Sequence, residues 1–91
     1  MADIVIYTRP KCHFCKKLKD FLKAEGLAYS EVDLAAEPSR QQELEKKTKG
    51  IGSVPQLFVG DEHVGDCFFV LSESGQAKLA GLLSAAARTK A

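Results

Sequence analysis

The chain has 91 residues, a length that fits one domain with a modest hydrophobic core. Its 13 basic and 12 acidic side chains leave a net charge of +1, so bulk electrostatics give no reason to expect a nucleic-acid partner. No apolar run approaches the roughly 18 residues of a membrane span, which leaves a water-soluble globular protein as the expected class.

The opening Met1-Ala2-Asp3-Ile4-Val5-Ile6 has no basic flank and no cleavage pattern, so it reads as a strand and not as a signal peptide. The strand is expected over residues 3–7, and its near-continuous hydrophobicity predicts cover on both faces. Residues 13–25 predict a helix, because Phe14, Leu18, Phe21 and Leu22 fall on one face of a 3.6-residue repeat. Gly26, which tolerates positive φ, marks its end. Residues 28–33 predict a second strand, parallel to the first because a helix separates them. A polar helix is expected over 38–49, with Pro38 in its first turn and Leu44 as its clearest anchor. Gly50 and Gly52 then break the chain into a loop. Gln56-Leu57-Phe58-Val59 predicts a third strand, Gly60-Asp61 a hairpin turn and Glu62-His63-Val64 a short fourth strand, with His63 facing solvent. Gly65-Asp66 turns into a last helical region over 67–86. Gly75 is expected to split it, and Leu79, Leu82, Leu83 and Ala86 line one face of its second part. The tail, Arg88-Thr89-Lys90-Ala91, is expected to fray. The order β-α-β-α-β-β-α over residues 1–91 predicts a single α/β domain, a four-stranded mixed sheet with helices on both faces.

Chemistry concentrates where the first strand meets the first helix. Cys12 and Cys15 sit in Tyr7-Thr8-Arg9-Pro10-Lys11-Cys12-His13-Phe14-Cys15, at the start of that helix. A helix N-terminus carries unsatisfied N–H groups and a partial positive charge, which favour thiolate over thiol. Thiolate is the nucleophile of disulfide exchange, and a second thiol three residues on can close a ring with the first. A closed zinc site needs four ligands; Cys12, His13 and Cys15 are too adjacent to supply one and there is no second Cys-x-x-Cys pair, so no metal is expected. Arg9, Lys11, Lys16, Lys17, Lys19 and Lys23 crowd this region, opposed only by Asp20. They predict a positive field around Cys12 that draws anionic substrates, with Arg9 and Lys11 closest in sequence. In a reducing cytosol, the expected compartment, such a pair is catalytic rather than structural.

Three motifs in order, the cysteine run, then Ser53-Val54-Pro55-Gln56-Leu57-Phe58-Val59, then Val64-Gly65-Asp66-Cys67, resemble those of the glutaredoxin family over nearly the whole chain. The resemblance implies a thioredoxin-like fold and a glutathione-dependent reductase of protein disulfides and glutathione mixed disulfides. Glutathione would be the reducing co-substrate, with no tightly bound cofactor, and the protein would work as a monomer. It implies Cys12 as the attacking thiol and Cys15 as the resolving one. Pro55 matches the family's cis-proline, and Val54 before it would pair with the backbone of the bound peptide. Arg9 matches a basic residue that holds the glycine carboxylate of glutathione, and Phe14 keeps an aromatic face beside the site. Gly65, Asp66, Cys67 and Phe68 match the turn that takes the γ-glutamyl carboxylate. His13 departs from the family's usual proline. Phe68 and Phe69 stand where it usually places acids, and Ile51 where related chains are often basic. Cys67 reads as a small core residue or as a modifiable thiol. Two related activities fit the same motifs. One is a hydrogen donor reduced by thioredoxin reductase; the other is a carrier of a [2Fe–2S] cluster ligated by Cys12 and glutathione.

Overall fold

A computed structural model describes the backbone of residues 4–89 and the side chains of residues 4–84. Strand β1 spans Ile4–Thr8, helix α1 His13–Ala24 and strand β2 Ser30–Asp33. A 3₁₀ turn at Pro38–Arg40 leads into helix α2, Gln41–Lys47. Strands β3, Gln56–Val59, and β4, Glu62–Gly65, form the hairpin, and helices α3, Cys67–Leu71, and α4, Glu73–Thr89, complete the order.

The four strands make one mixed sheet in the order β2-β1-β3-β4. β1 runs parallel to β2 and antiparallel to β3, and β3 is antiparallel to β4. Alternation along β1 divides the core, as the two-sided strand requires. Ile4 and Ile6 join Leu57, Val59 and Val64 beneath Leu18 and Leu22 of α1, Val70 of α3 and Leu79 of α4. Tyr7, Val32 and Phe58 form the second cluster with Leu44, the one buried residue of the polar helix α2. Leu18 and Leu22 are wholly buried, each contributing about 2 kcal/mol of transfer free energy.

Register fixes the working edge. Thr8 lies opposite Asp33, Tyr7 opposite Gln56 and Leu57 opposite Gly65. The ends of β1, β2 and β4 and the start of β3 therefore share one edge of the sheet, the carboxyl end of β1, where open α/β sheets place their ligands.

Helix ends follow their residues. Gly26, at φ +69°, lets the N–H of Leu27 reach the carbonyl of Leu22 at 2.9 Å and its own N–H reach that of Lys23 at 3.1 Å, closing α1 in a Schellman motif. The break in the last helical region falls at Ser72, not at Gly75. Ser72 is extended, and its hydroxyl accepts the Gly75 N–H at 3.1 Å, capping α4. Gly75 lies inside α4 for a different reason: a Cβ there would stand 1.7 Å from the carbonyl oxygen of Phe69. Glycine here permits a close approach of α4 to α3.

Four further expectations change. Phe14 shares the spacing of Leu18 and Leu22, yet it is exposed at the mouth of the helix while Cys15 takes the buried place. β2 begins at Ser30, two residues later than predicted. His63 is half-buried: it bonds to the buried Gln56 side chain at 2.7 Å and its ring lies 5.0 Å from that of Phe58. α4 continues through Arg88 to Thr89. Asp3, Lys90 and Ala91, and the side chain of Ala86, lie outside the described residues. Among the described residues no helix is long and apolar enough to cross a membrane.

Candidate active site

Cys12 is the N-cap of α1. Its backbone is extended (φ −93°, ψ 111°), which swings the sulfur back over the first turn, where it accepts the Cys15 N–H at 3.2 Å. Lys11, just before it, adopts a left-handed φ of +60°, a conformation L-residues avoid, and this turns the chain abruptly into the helix. The sequence Arg9-Pro10-Lys11-Cys12 thus spends local strain to set one sulfur at a helix mouth. Cys12 is half-buried and Cys15 buried, and both are free thiols.

The two thiols have different surroundings. Burial, with the hydrogen bond to Cys12, pushes the Cys15 thiol up to about 12, against the Arg9 backbone N–H and the charge of Lys19. Lys19 is itself held by Glu31 at 3.1 Å, and Glu31 also accepts the Thr8 hydroxyl at 2.6 Å. The raised Cys15 value has a consequence for stability. In the unfolded chain this thiol ionises near 9.0, whereas in the folded protein it keeps its proton to about 12. Between those values the unfolded state has lost a proton that the native state still binds, so stability falls as pH rises. Denaturant titration of the reduced protein is expected to show a loss of about 2 kcal/mol from this thiol by about pH 10.5, a share that Cys15→Ala removes while the smaller losses from Cys67 and Tyr7 stay. A flat profile to that pH would contradict a buried, protonated Cys15.

Arg9 is exposed, and its guanidinium donates to the side-chain oxygen of Gln41. The amide nitrogen of Gln41 bonds Glu45 and the Gly52 carbonyl, each at 3.0 Å, so α2, Arg9 and the Gly52 loop are tied together. Thr48, buried, fastens the same loop by exchanging hydrogen bonds with the Ile51 carbonyl at 2.7 Å and the Ile51 N–H at 3.0 Å. The loop ends in a cis Val54–Pro55 bond, with Pro55 buried and Val54 half-buried against the Tyr7 cluster. Beneath it the Tyr7 hydroxyl donates to Glu43, which Arg40 also grips at 2.9 Å; burial and the carboxylate push this phenol up to about 12.

At β4's end, Gly65 holds φ +150° and gives way to Phe69, whose ring carbon a Cβ would meet at 2.8 Å. Asp66 caps α3 by accepting the Phe69 N–H at 2.9 Å. Cys67 is 2% exposed and packs in the main core, so its thiol faces inward. Burial pushes that thiol up. Phe68 is 67% exposed and its ring lies 4.7 Å from that of Phe14, joining the third motif to the first. His13 is exposed, its ring edge-on to Phe14.

The sheet edge thus gathers Cys12, Cys15, Arg9, Phe14, Val54, Pro55, Gly65, Asp66, Cys67 and Phe68. Gln41 and Thr48 fall in no sequence motif; Thr8 and Lys19 lie in the cysteine run and the basic stretch, but nothing local pairs them with Glu31. A thiol capping a helix above a buried partner, on a thioredoxin-like frame, defines a thiol–disulfide oxidoreductase site.

The glutaredoxin family model matches residues 4–64. A glutaredoxin of Pseudomonas aeruginosa is 35% identical over 85 residues, which cover 93% of this chain and 100% of that protein. Glutaredoxin 3 of Escherichia coli K12 is 31% identical over 67 residues, 74% of this chain and 80% of its own. The crystal structure of a buckwheat glutaredoxin–glutathione complex matches with a TM-score of 0.77 at 26% identity, over 91% of this chain and 77% of that one. The chain belongs to the glutaredoxin family and is a thiol–disulfide oxidoreductase.

Proposed function

We propose that this chain uses glutathione to reduce glutathionylated proteins and protein disulfides through Cys12-His13-Phe14-Cys15. The observation that carries this reading is the pairing of a half-exposed, helix-capping Cys12 with a buried Cys15 one turn below. Cys12, as thiolate, attacks the glutathione sulfur of a mixed disulfide. The Cys12–glutathione bond forms and the protein leaves as thiolate, taking a proton from solvent. A second glutathione thiolate then attacks the bound glutathione sulfur, releasing oxidised glutathione and the Cys12 thiolate. With a protein disulfide, Cys12 forms the mixed disulfide with protein and Cys15 displaces that protein as a dithiol. The resulting Cys12–Cys15 disulfide is reduced by two glutathiones.

The binding set is Arg9, Phe14, Val54, Pro55, Gly65, Asp66, Cys67 and Phe68. Supporting it are the register that brings these segments to one edge and the glutathione complex of the buckwheat relative. Val54 offers backbone groups for strand-like pairing, and Cys67 contributes through its backbone alone, since its thiol is in the core. The partners are glutathione and disulfide-bearing or glutathionylated proteins of a reducing compartment.

The test is turnover of a small mixed disulfide driven by glutathione, glutathione reductase and NADPH, beside a matched reaction driven by thioredoxin reductase. Fast turnover is expected only in the first. Activity confined to the second would overturn the reading and mean that Phe68 and Phe69 have dismantled the glutathione site.

A further inference from the structure

A groove of about 580 Å³ runs along the flank of α1 and is lined by both Cys12 and Cys15. It opens toward β2, through Glu31 and Asp33. Val54, Pro55, Gly65 and Cys67 are not part of it: Val54 and Pro55 lead into β3, Gly65 ends β4 and Cys67 opens α3, and β3 and β4 lie on the opposite side of β1 from β2. The groove therefore lies on the β2 side of Cys12, and of the proposed glutathione-binding set only Arg9 lines it.

The groove is basic. Arg9, Lys11, Lys16, Lys19 and Lys23 line it against the carboxylates Asp20, Glu31 and Asp33. Several of these charges are already engaged. Glu31 holds Lys19, Asp33 accepts the Ala35 N–H at 2.8 Å, and Arg9 is bonded to Gln41. Lys11, Lys16 and Lys23 make no ion pair among the described residues. Lys16 and Lys23 lie one and about three turns beyond Cys12, roughly 6 and 16 Å along the helix axis. An extended chain rising about 3.3 Å per residue covers those distances in about two and five residues.

We infer that this groove docks an acidic segment of the protein substrate, with carboxylates about two and five residues from the cysteine that Cys12 engages. The inference rests on the reading of Cys12 as the attacking thiol. It adds a subsite for the protein half of a mixed disulfide, while the glutathione half takes the β3–β4 side. Cation rows beside a reactive centre select partners chiefly through association rate and lose that selectivity in salt.

The experiment uses glutathionylated peptides of one length that carry, two and five residues from the cysteine, Glu, Gln or Lys. Their kcat/KM values are compared for the intact chain and for a Lys16→Glu/Lys23→Glu variant, each normalised to the small mixed disulfide, which has no peptide to dock. At low salt the intact chain is expected to prefer the Glu peptide over the Lys peptide by about tenfold, a preference that shrinks with added salt. The double variant is expected to lose or invert it. Comparing ratios between the two proteins cancels the intrinsic reactivity of each peptide. Equal values across the peptides in the intact chain, or an unchanged preference in the variant, would overturn the docking site while normal small-disulfide turnover left the glutathione reading standing. Absence of small-disulfide turnover would instead remove that reading, and the docking site with it.

Discussion

Cys15→Ser is expected to keep glutathione-driven turnover of a small mixed disulfide and to lose the reduction of protein disulfides by about 100-fold or more. The asymmetry follows from where each sulfur sits. In the proposed mechanism a glutathione bound to Cys12 is removed by a second glutathione from solvent, and Cys15 takes no part. A protein bound to Cys12 is there removed by Cys15, held one helical turn away, at an effective concentration far above that of any free thiol. The buried, protonated state of Cys15 does not block this step. Two of the influences that raise it, the hydrogen bond to Cys12 and the charge of Cys12, disappear once Cys12 is tied up in a mixed disulfide. Burial then remains, opposed by the Arg9 N–H and by Lys19. Ionisation of Cys15 becomes easier at the step that needs it. Cys12→Ser should lose both activities by about 1,000-fold, because a hydroxyl at that position supplies no thiolate. Assaying the two variants with both substrate types separates the roles. Normal protein-disulfide turnover in Cys15→Ser would show that the second thiol is not the resolving group.

How far the residues spoke for themselves depended on the range of the interaction. The β1–α1 corner was legible because everything there is local: an apolar run, a turn, two thiols three residues apart, a helical repeat. The hairpin was legible for the same reason, through Gly60-Asp61 between the apolar Gln56-Leu57-Phe58-Val59 segment and the short Glu62-His63-Val64. Phe14 was misplaced because periodicity reports which face a residue shares and not where that face meets solvent. The same blindness hid His63, whose partners, Gln56 and Phe58, come from the neighbouring strand. Gln41 and Thr48 carry no pattern at all: they hold the loop before Pro55 through hydrogen bonds to backbone groups that only the folded chain brings near. In the last helical region both Gly75 and Ser72 were visible, and glycine drew the break to itself. Ser72 followed by Glu73 is the better sign of a new helix start, since a hydroxyl can cap and an acid suits the first turn.

Gly75→Ala should be the most damaging single methyl group in the chain, costing about 2–3 kcal/mol and lowering the denaturation midpoint accordingly. Alanine in place of glycine inside a helix ordinarily stabilises, by up to about 1 kcal/mol. Here the added carbon would sit 1.7 Å from the Phe69 carbonyl oxygen, 2.4 Å from its carbon and 2.8 Å from the Cα of Val70. All three are backbone atoms, so no side chain can rotate away; α4 must lift from α3. The damage should reach the site as well. α3 begins at Cys67, is capped by Asp66 and carries Phe68 against Phe14. Lifting α4 releases the end of α3 that Ser72 and Phe69 anchor through their backbone bond at 3.0 Å. Gly81, in the same helix with open space around its Cα, is the matched control: Gly81→Ala should be neutral or stabilising. If the two variants unfold at the same denaturant concentration, the close approach of α3 and α4 is not what glycine serves. If Gly75→Ala alone is destabilised and also shows a raised KM for glutathione, the turn at Gly65–Phe68 depends on a contact made on the far side of α3 from the thiols.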